Sequence, residues 1–203
     1  MESFEHLCKV ALEAEGFAVT SIAKFPVRRR TRRTEREEYQ THGYEIDLVG
    51  ARGGKLVLAE VKSYFGSGGV TRQHFVGLGG ALQSKQSERF KLINDPDLRL
   101  QVTKGACERF GYTPSQIEWR LYVGHFANGH EEEISGHLSR LVPPVAVIGL
   151  DETVNRLITL AKQTTYFDDA VLMTVKAMMA ANRLKGERPE GAVLESNDED
   201  EAQ

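Results

Sequence analysis

The feature that most constrains this fold is a pair of short apolar segments joined by a glycine-containing turn. The segments are Tyr44–Val49 and Lys55–Tyr64, separated by Gly50–Gly54. Aliphatic and β-branched residues dominate both segments, which favours strands, and the Gly-Gly pair at positions 53 and 54 favours a two-residue turn of type I′. The sequence therefore predicts an antiparallel hairpin in which Arg52 pairs with Lys55.

This register brings charged residues together. Asp47 lies opposite Glu60. Because side chains alternate along each strand with a period of two, Glu45 lies opposite Lys62 on the same face. Two carboxylates opposed across a hairpin destabilise it, so a compensating cation is expected, and oxygen ligands suit Mg²⁺ or Mn²⁺ better than zinc. The solvent-facing side of any amphipathic hairpin shows the same alternation, and spacing alone does not separate the two interpretations.

Helical and strand patterns alternate through the rest of the chain. Besides the hairpin, the predicted elements are a helix from Ser3 to Gly16, a strand over Phe17–Val27, a mobile loop over Gly66–Gly80, a helix from about Ala81 to Ile93, a helix from Asp95-Pro96 to Gly111, strands over Ile117–Ala127 and Val145–Leu150, and helices within Asp151–Asn182 that break near Thr164–Asp168. This order predicts an α/β fold with a central mixed sheet flanked by helices and a C-terminal helical extension. A single domain is expected over residues 1–186, with its core in about 1–127 and its C-terminal strand and helices in 145–185.

Charge is distributed unevenly around a formal net value of −3. Residues 187–203 contain seven acidic residues and one arginine, so this tail is predicted to be disordered. Basic residues concentrate in one short segment, at Arg28, Arg29, Arg30, Arg32, Arg33 and Arg36. Clustered arginines bind phosphates without sequence preference, so the first five, with Arg72 from the glycine-rich segment, are predicted nucleic-acid contacts. The alternative is a solvated loop that neighbouring glutamates neutralise.

Other classes of protein are disfavoured. Cys8 and Cys107 lack paired spacing and a neighbouring His/Cys cluster, which predicts free thiols and no zinc site. No signal-peptide pattern is present, and no apolar run approaches the roughly 20 residues that cross a bilayer, so a cytoplasmic location without membrane contact is expected. No pattern indicates a small-molecule organic cofactor. Met173, Met178 and Met179 indicate either a core helix or a face for a homodimer.

The hairpin residues also resemble a known motif. Glu45-Ile46-Asp47-Leu48-Val49, followed after the turn by Leu56–Ser63, is similar to the split D…ExK motif of the PD-(D/E)XK (restriction-endonuclease-like) superfamily. In style it is closest to the Holliday-junction-resolvase-like and Mrr-like small nucleases. Phe4-Glu5 and Gly16–Val19 resemble the first helix and strand of those proteins.

The resemblance implies an αβββαβ core and a nuclease that depends on Mg²⁺, with Mn²⁺ able to substitute. Asp47 and Glu60 are the implied metal ligands, and Lys62 is the implied catalytic lysine. Glu5 is implied as an accessory acid at the metal.

The function that the resemblance implies is hydrolysis of phosphodiester bonds in DNA. Some relatives carry a helical glutamine near the site, for which Gln83 and Gln86 are both candidates. The alternatives are a catalytically silent DNA-binding or assembly module with the same fold, and an RNA nuclease.

Overall fold

The structure is a computed structural model that describes residues 3–30, 39–163 and 168–181. Its helices and strands, in chain order, are α1 Ser3–Ala14, β1 Ala18–Arg30, β2 Tyr39–Arg52, β3 Lys55–Lys62, α2 Lys85–Glu88, α3 Lys91–Asn94, α4 Pro96–Phe110, β4 Ile117–Val123, α5 Glu131–Leu138, β5 Val145–Ile148, α6 Leu150–Ala161 and α7 Ala170–Ala180. The predicted acidic tail and part of the arginine cluster, Arg32, Arg33 and Arg36, lie outside the described residues.

The five strands form one mixed sheet in the order β1-β2-β3-β4-β5. β1, β2 and β3 are antiparallel neighbours, whereas β3, β4 and β5 are parallel. A parallel neighbour requires a crossover, and the segment from α2 to α4 provides it between β3 and β4. The predicted α/β architecture, a mixed sheet flanked by helices, is confirmed.

Helices cover both faces of the sheet. On one face α1 buries Phe4, Cys8 and Leu12 against apolar residues of β2 and β3. On the other face α4 packs in the larger core, where Trp119 of β4 is fully buried. The C-terminal helices α6 and α7 pack on the outer side of α1. No helix in the described ranges is long and apolar enough to cross a membrane.

Local signals set the hairpin and α4 as predicted, with one difference. Arg52 pairs with Lys55 across the turn. Gly54 has a φ of 75°, but Gly53 does not adopt a positive φ. The turn is therefore not of type I′, which needs positive φ at both central residues. In α4 the Asp95 carboxylate caps the backbone N–H of Leu98 at 3.0 Å, as its position before Pro96 predicts.

The helix predicted from Ala81 to Ile93 is wrong. Two short helices, α2 and α3, lie there instead. Gln83 has a φ of 62°, which a right-handed helix cannot accommodate, and the Ser84 hydroxyl accepts a hydrogen bond of 3.1 Å from Ser87 N–H. Ser84 therefore starts a new helix. Phe90, Leu92 and Ile93 are buried, whereas Leu82 is 77% exposed, so the apolar residues of the segment do not form one continuous helical face.

Two further segments differ from the prediction. The glycine-rich segment predicted as a mobile loop packs into the core, because Val70 and Phe75 are fully buried and Val70 N–H donates to His125 O at 2.9 Å. α5 lies between β4 and β5 where no helix was predicted. It buries only Ile134 and Leu138, which is too few apolar residues to produce a helical signal.

Arg120 of β4 anchors an ion-pair network on the α1 side of the sheet. Its guanidinium donates to both Glu15 oxygens at 2.7 and 3.0 Å and to Glu118 Oε1 at 2.6 Å. Arg156 also donates to Glu15, and Lys55 to Glu118. Only 6% of the Arg120 side chain is exposed. The network joins β3, β4, the end of α1 and α6.

We expect Arg120→Ala to lower the free energy of unfolding by about 1–3 kcal/mol, because the charged hydrogen bonds of a buried guanidinium are lost and the half-buried Glu15 and Glu118 each keep one cationic partner, Arg156 and Lys55. Urea denaturation measures this change. Lys104→Ala is the control, since Lys104 and Glu108 form an exposed pair at 3.9 Å whose loss should cost under about 0.5 kcal/mol. Equal midpoints for the two variants would contradict a structural role for the network.

Candidate active site

β2 and β3 separate at Asp47, and this fork positions the candidate site. The β2–β3 ladder ends at the pair Leu48 and Ala59. Beyond that pair, Asp47 Oδ2 accepts a hydrogen bond of 2.7 Å from the backbone N–H of Val61. A side-chain acceptor thus replaces a ladder carbonyl and satisfies a buried donor. The Asp47 carboxylate therefore lies between the two strands, where β3 continues beside β4.

The β1–β2 ladder is also interrupted at this position. The pair Ile22–Asp47 is skipped, although pairing continues in the same register on either side. Ile22 has a φ of 58°, a region in which a β-branched residue is strained. Ile46 packs in the larger core while Leu48 packs against α1, although residues two apart in a regular strand share a face. β1 and β2 therefore change face together beside Asp47.

This change of face overturns one predicted contact. Glu45 does not lie opposite Lys62. It pairs with Lys24 of β1, and its carboxylate lies 3.6 Å from Lys24 Nζ. The prediction assumed an uninterrupted period of two through Asp47, which the backbone does not keep.

Glu60 and Lys62 lie on β3 beside the fork. Glu60 is buried, with 7% of its surface exposed, and its Oε2 lies 2.9 Å from Lys62 Nζ. The ammonium group also lies 5.9 Å from the centroid of the Phe90 ring. Burial disfavours the charge of Lys62, but the charge and hydrogen bond of Glu60 outweigh it and raise the pKa of Lys62. The lysine is therefore held as a cation against a buried carboxylate.

Asp47 carries an unfavourable charge in this setting. Burial, and then the negative charge of Glu60, raise the pKa of Asp47 from 3.8 to about 6. The Val61 N–H and Lys62 oppose this shift without cancelling it. The negative charge of the two carboxylates, Asp47 and Glu60, is therefore larger than the positive charge that Lys62 supplies.

Glu5 of α1 lies at the same end of the fold. Its negative charge contributes to the raised pKa of both Asp47 and the buried thiol of Cys8. The structure thus gathers the four residues that the sequence predicts for the site. The carboxylates nevertheless do not form a closed shell, because no three His, Cys, Asp or Glu side chains in the described ranges are grouped closely enough to hold a metal ion.

The donor set fits a hard divalent cation. Asp47 and Glu60 offer buried carboxylate oxygens, and their mutual repulsion is the interaction that a cation would relieve. Mg²⁺ commonly uses one or two protein carboxylates and keeps several waters, so two ligands without a closed protein shell suit it.

Five of the predicted DNA-contacting arginines belong to the basic segment that begins at the end of β1. Arg28 and Arg29 belong to β1 and line a cavity of about 440 Å³ beside α2, α3 and α4. The Arg29 guanidinium donates to Asp95 Oδ2 at 2.5 Å, and Arg28 lies 4.6 Å above the centroid of the Tyr39 ring. Arg30 ends β1, but its side chain lies outside the described residues, as do Arg32 and Arg33. Arg28 and Arg29 therefore lie on the edge strand β1, where Arg29 forms an ion pair with Asp95.

The remaining predicted residues lie nearer the surface. Arg72 begins a 3₁₀ turn, and its Nη1 lies 3.3 Å from a carboxylate oxygen of Glu133, with both side chains half exposed. Gln83 and Gln86 are both exposed. Gln83 lines the same cavity as Arg28 and Arg29.

Tyr44 is influenced by charges of both the carboxylate pair and the cavity, and the sequence did not single it out. Burial, and then the charge of Glu60, raise the pKa of Tyr44 to about 12, and the charges of Arg29 and Asp95 act on it as well. Tyr44 therefore lies within electrostatic range of Glu60 and of two residues that line the cavity, Arg29 and Asp95. Its only sequence signal is its place in the apolar alternation of β2, which any core tyrosine would share.

Comparisons with known proteins supply no family. No family model matches the sequence, and no curated protein matches it. A solved structure described as the crystal structure of a protein of unknown function, AF1548, is similar with a TM-score of 0.35 and 15% sequence identity. The similarity covers 88% of this chain and 76% of that chain. Likeness at this level carries no argument about function.

Proposed function

We propose that this protein is a Mg²⁺-dependent nuclease that hydrolyses phosphodiester bonds in DNA on a PD-(D/E)XK, restriction-endonuclease-like core. The observation that carries the proposal is the Asp47 carboxylate in the fork of β2 and β3, beside the buried Glu60 and its half-buried partner Lys62. The order α1, β1, β2, β3, α4, β4 is compatible with the αβββαβ arrangement of that superfamily.

Each residue of the site has a chemical role in this proposal. Asp47 and Glu60 hold the metal ion, and Glu5 assists as an outer acid. Bound Mg²⁺ supplies a Lewis acid that polarises the phosphate and lowers the pKa of water. Lys62 directs its ammonium group to the negative charge that develops on the phosphate, or orients the attacking water. Burial of Lys62 strengthens this interaction, because charges attract more strongly where water is excluded.

Cleavage assays with several nucleic acids test the proposal. Plasmid, linear duplex, single-stranded and branched DNA are each incubated with Mg²⁺, Mn²⁺ or EDTA, with RNA of matched sequence in parallel. We expect cleavage of DNA that requires the metal. EDTA-insensitive binding without cleavage would favour the silent DNA-binding module, and cleavage of RNA alone would favour an RNA nuclease.

We expect simultaneous Arg28→Ala, Arg29→Ala and Arg30→Ala to weaken DNA binding and to reduce its salt dependence. Each lost phosphate contact lowers the slope of log affinity against log salt by about 0.9 for duplex DNA. Binding titrations over a range of salt concentrations measure the slope. Thermal unfolding controls for folding, since Arg29 also bonds Asp95. A slope equal to that of the unmodified protein would show that these arginines form only a solvated surface.

A further inference from the structure

We propose that the ring of Phe65 is a platform on which an unpaired base of the substrate stacks beside the active site. The preferred substrate is then DNA with unpaired nucleotides at the cleavage position, such as a single strand, flap or gap. The inference rests on the proposed nuclease function and names its substrate class.

The Phe65 ring is exposed and yet fixed in place. It is 56% exposed, although it follows directly on the apolar strand β3 and the turn that buries Tyr64. Its edge meets the Phe4 ring, with centroids 5.1 Å apart and planes at 80°. It also lies over Gly124, where an added Cβ would come within 2.7 Å of Phe65 Cζ. Two neighbours therefore orient the ring while more than half of the residue faces solvent.

A strained turn places the Phe65 ring on the side of the sheet that α1 covers. Tyr64 has a φ of 52°, a left-handed conformation that costs free energy for a residue other than glycine. The Tyr64 ring packs inward against His74 and Phe90, at 5.4 and 5.9 Å between centroids. Ser67 N–H and Oγ close the turn on Tyr64 O at 3.3 and 3.2 Å. The turn thus directs Tyr64 into the core and Phe65 outward, and strained residues of this kind cluster at active sites and ligand contacts.

Two connections place the Phe65 ring near the proposed catalytic groups. Phe65 follows Lys62 by three residues, at the end of the strand that carries Glu60. Phe4, which meets the ring, is the neighbour of Glu5, whose charge reaches Asp47. A strand whose phosphate lies at Asp47 and Lys62 therefore brings an adjacent base within reach of Phe65.

The chemistry of stacking selects unpaired DNA. In a continuous duplex both faces of each base are covered by its neighbours, so a protein ring has no free face to contact. An unpaired or displaced base offers one, and stacking of bases on aromatic side chains is sequence-tolerant. Loss of one such contact weakens binding by roughly 5- to 100-fold.

Phe65→Trp provides a direct optical test. The chain has one tryptophan, Trp119, which is fully buried. The introduced indole is therefore the exposed one, and its fluorescence reports stacking without any need for cleavage. The full chain is titrated in Ca²⁺, used in place of Mg²⁺ to hold back hydrolysis, with single-stranded DNA, flapped DNA and a covalently closed duplex of the same sequence. We expect saturable quenching by the first two and little by the closed duplex.

Matched variants separate stacking from general exposure. Leu100→Trp places an indole at another exposed apolar position, 64% exposed on α4, and should not be quenched. Phe65→Ala and Phe65→Leu should weaken binding of unpaired DNA by roughly 5- to 100-fold and of the closed duplex by less than about 2-fold. Phe65→Tyr should retain the affinity of the unmodified protein, which also guards against a folding defect in the smaller variants.

The outcomes distinguish this inference from the nuclease proposal. Selective quenching of Phe65→Trp in a protein that never cleaves DNA would support the platform and contradict the nuclease. Metal-dependent cleavage together with equal quenching by closed duplex, or with unchanged affinity of Phe65→Ala for unpaired DNA, would overturn the platform. It would also be overturned if Phe65→Ala altered only the oligomeric state measured by light scattering, since the ring would then contact a second copy of the chain.

Discussion

Asp47→Asn is expected to abolish metal-dependent cleavage while it stabilises the metal-free protein. The substitution removes one of the two charges proposed to hold Mg²⁺. We expect the cleavage rate to fall by about 10³-fold or more, which corresponds to about 4 kcal/mol of lost transition-state stabilisation. Mn²⁺ affinity, measured by calorimetry, should fall with it. Glu60→Gln should behave in the same way, and Glu5→Gln should have a milder effect.

The gain in stability follows from the raised pKa of Asp47. Its pKa is about 6 in the fold, against an ordinary value of 3.8, so the folded state binds the proton more tightly than the unfolded chain does. Stability of the metal-free protein therefore falls as pH rises from about 4 to about 6. A pKa change of this size corresponds to at most about 3 kcal/mol, and an asparagine avoids this cost while its amide oxygen still accepts from Val61 N–H.

Urea denaturation in EDTA measures this effect. At pH 8, Asp47→Asn should have a free energy of unfolding about 1–3 kcal/mol above that of the unmodified protein, and the difference should fade as pH falls from 6 to 4. Glu45→Gln is the matched control, since it removes an exposed charge from the same strand and should change neither cleavage nor stability appreciably. Normal Mn²⁺ binding by Asp47→Asn would contradict the assignment of the metal ligands.

The hairpin was predictable because its determinants are local. Gly53 and Gly54 fix where the chain reverses, and the apolar segments on either side fix which residues pair from Arg52 and Lys55 onward. The same holds for α4, whose start at Asp95-Pro96 and end before Gly111 follow from capping chemistry. Signals of this kind need no knowledge of the rest of the fold.

The fork at Asp47 was not predictable from local patterns. No propensity indicates that Ile22 adopts a positive φ, because β-branched residues rarely take that conformation, and the change of face depends on which of the two cores each half of the strand joins. Once β1 and β2 change face, Glu45 turns towards Lys24 instead of Lys62. The predicted proximity of Asp47 and Glu60 does not depend on this change, because the negative charge of Glu60 still raises the pKa of Asp47.

Proximity of Glu5 and exposure of Phe65 depend on tertiary structure. Glu5 reaches the site because Phe4, Cys8 and Leu12 pack α1 across β2 and β3. Its sequence signal is the resemblance of the first helix to that of the small nucleases, not any spacing to Asp47. A phenylalanine at the end of an apolar strand is normally interpreted as core, so the outward position of Phe65 has no sequence signal at all.

Lys62→Ala is expected to fail in a different way from Asp47→Asn. It should lower the cleavage rate by about 10²–10³-fold, because the half-buried cation proposed to face the phosphate is lost. Metal binding should persist or tighten, since Lys62 Nζ no longer competes for the Glu60 carboxylate that lies 2.9 Å away. Lys55→Ala is the matched control, because Lys55 lies at the other end of β3, pairs with Glu118 at 2.6 Å and should leave cleavage unchanged. Mn²⁺ calorimetry with a parallel cleavage assay separates the two roles, and a Lys62→Ala protein that cleaves as fast as the unmodified one would remove Lys62 from the active site.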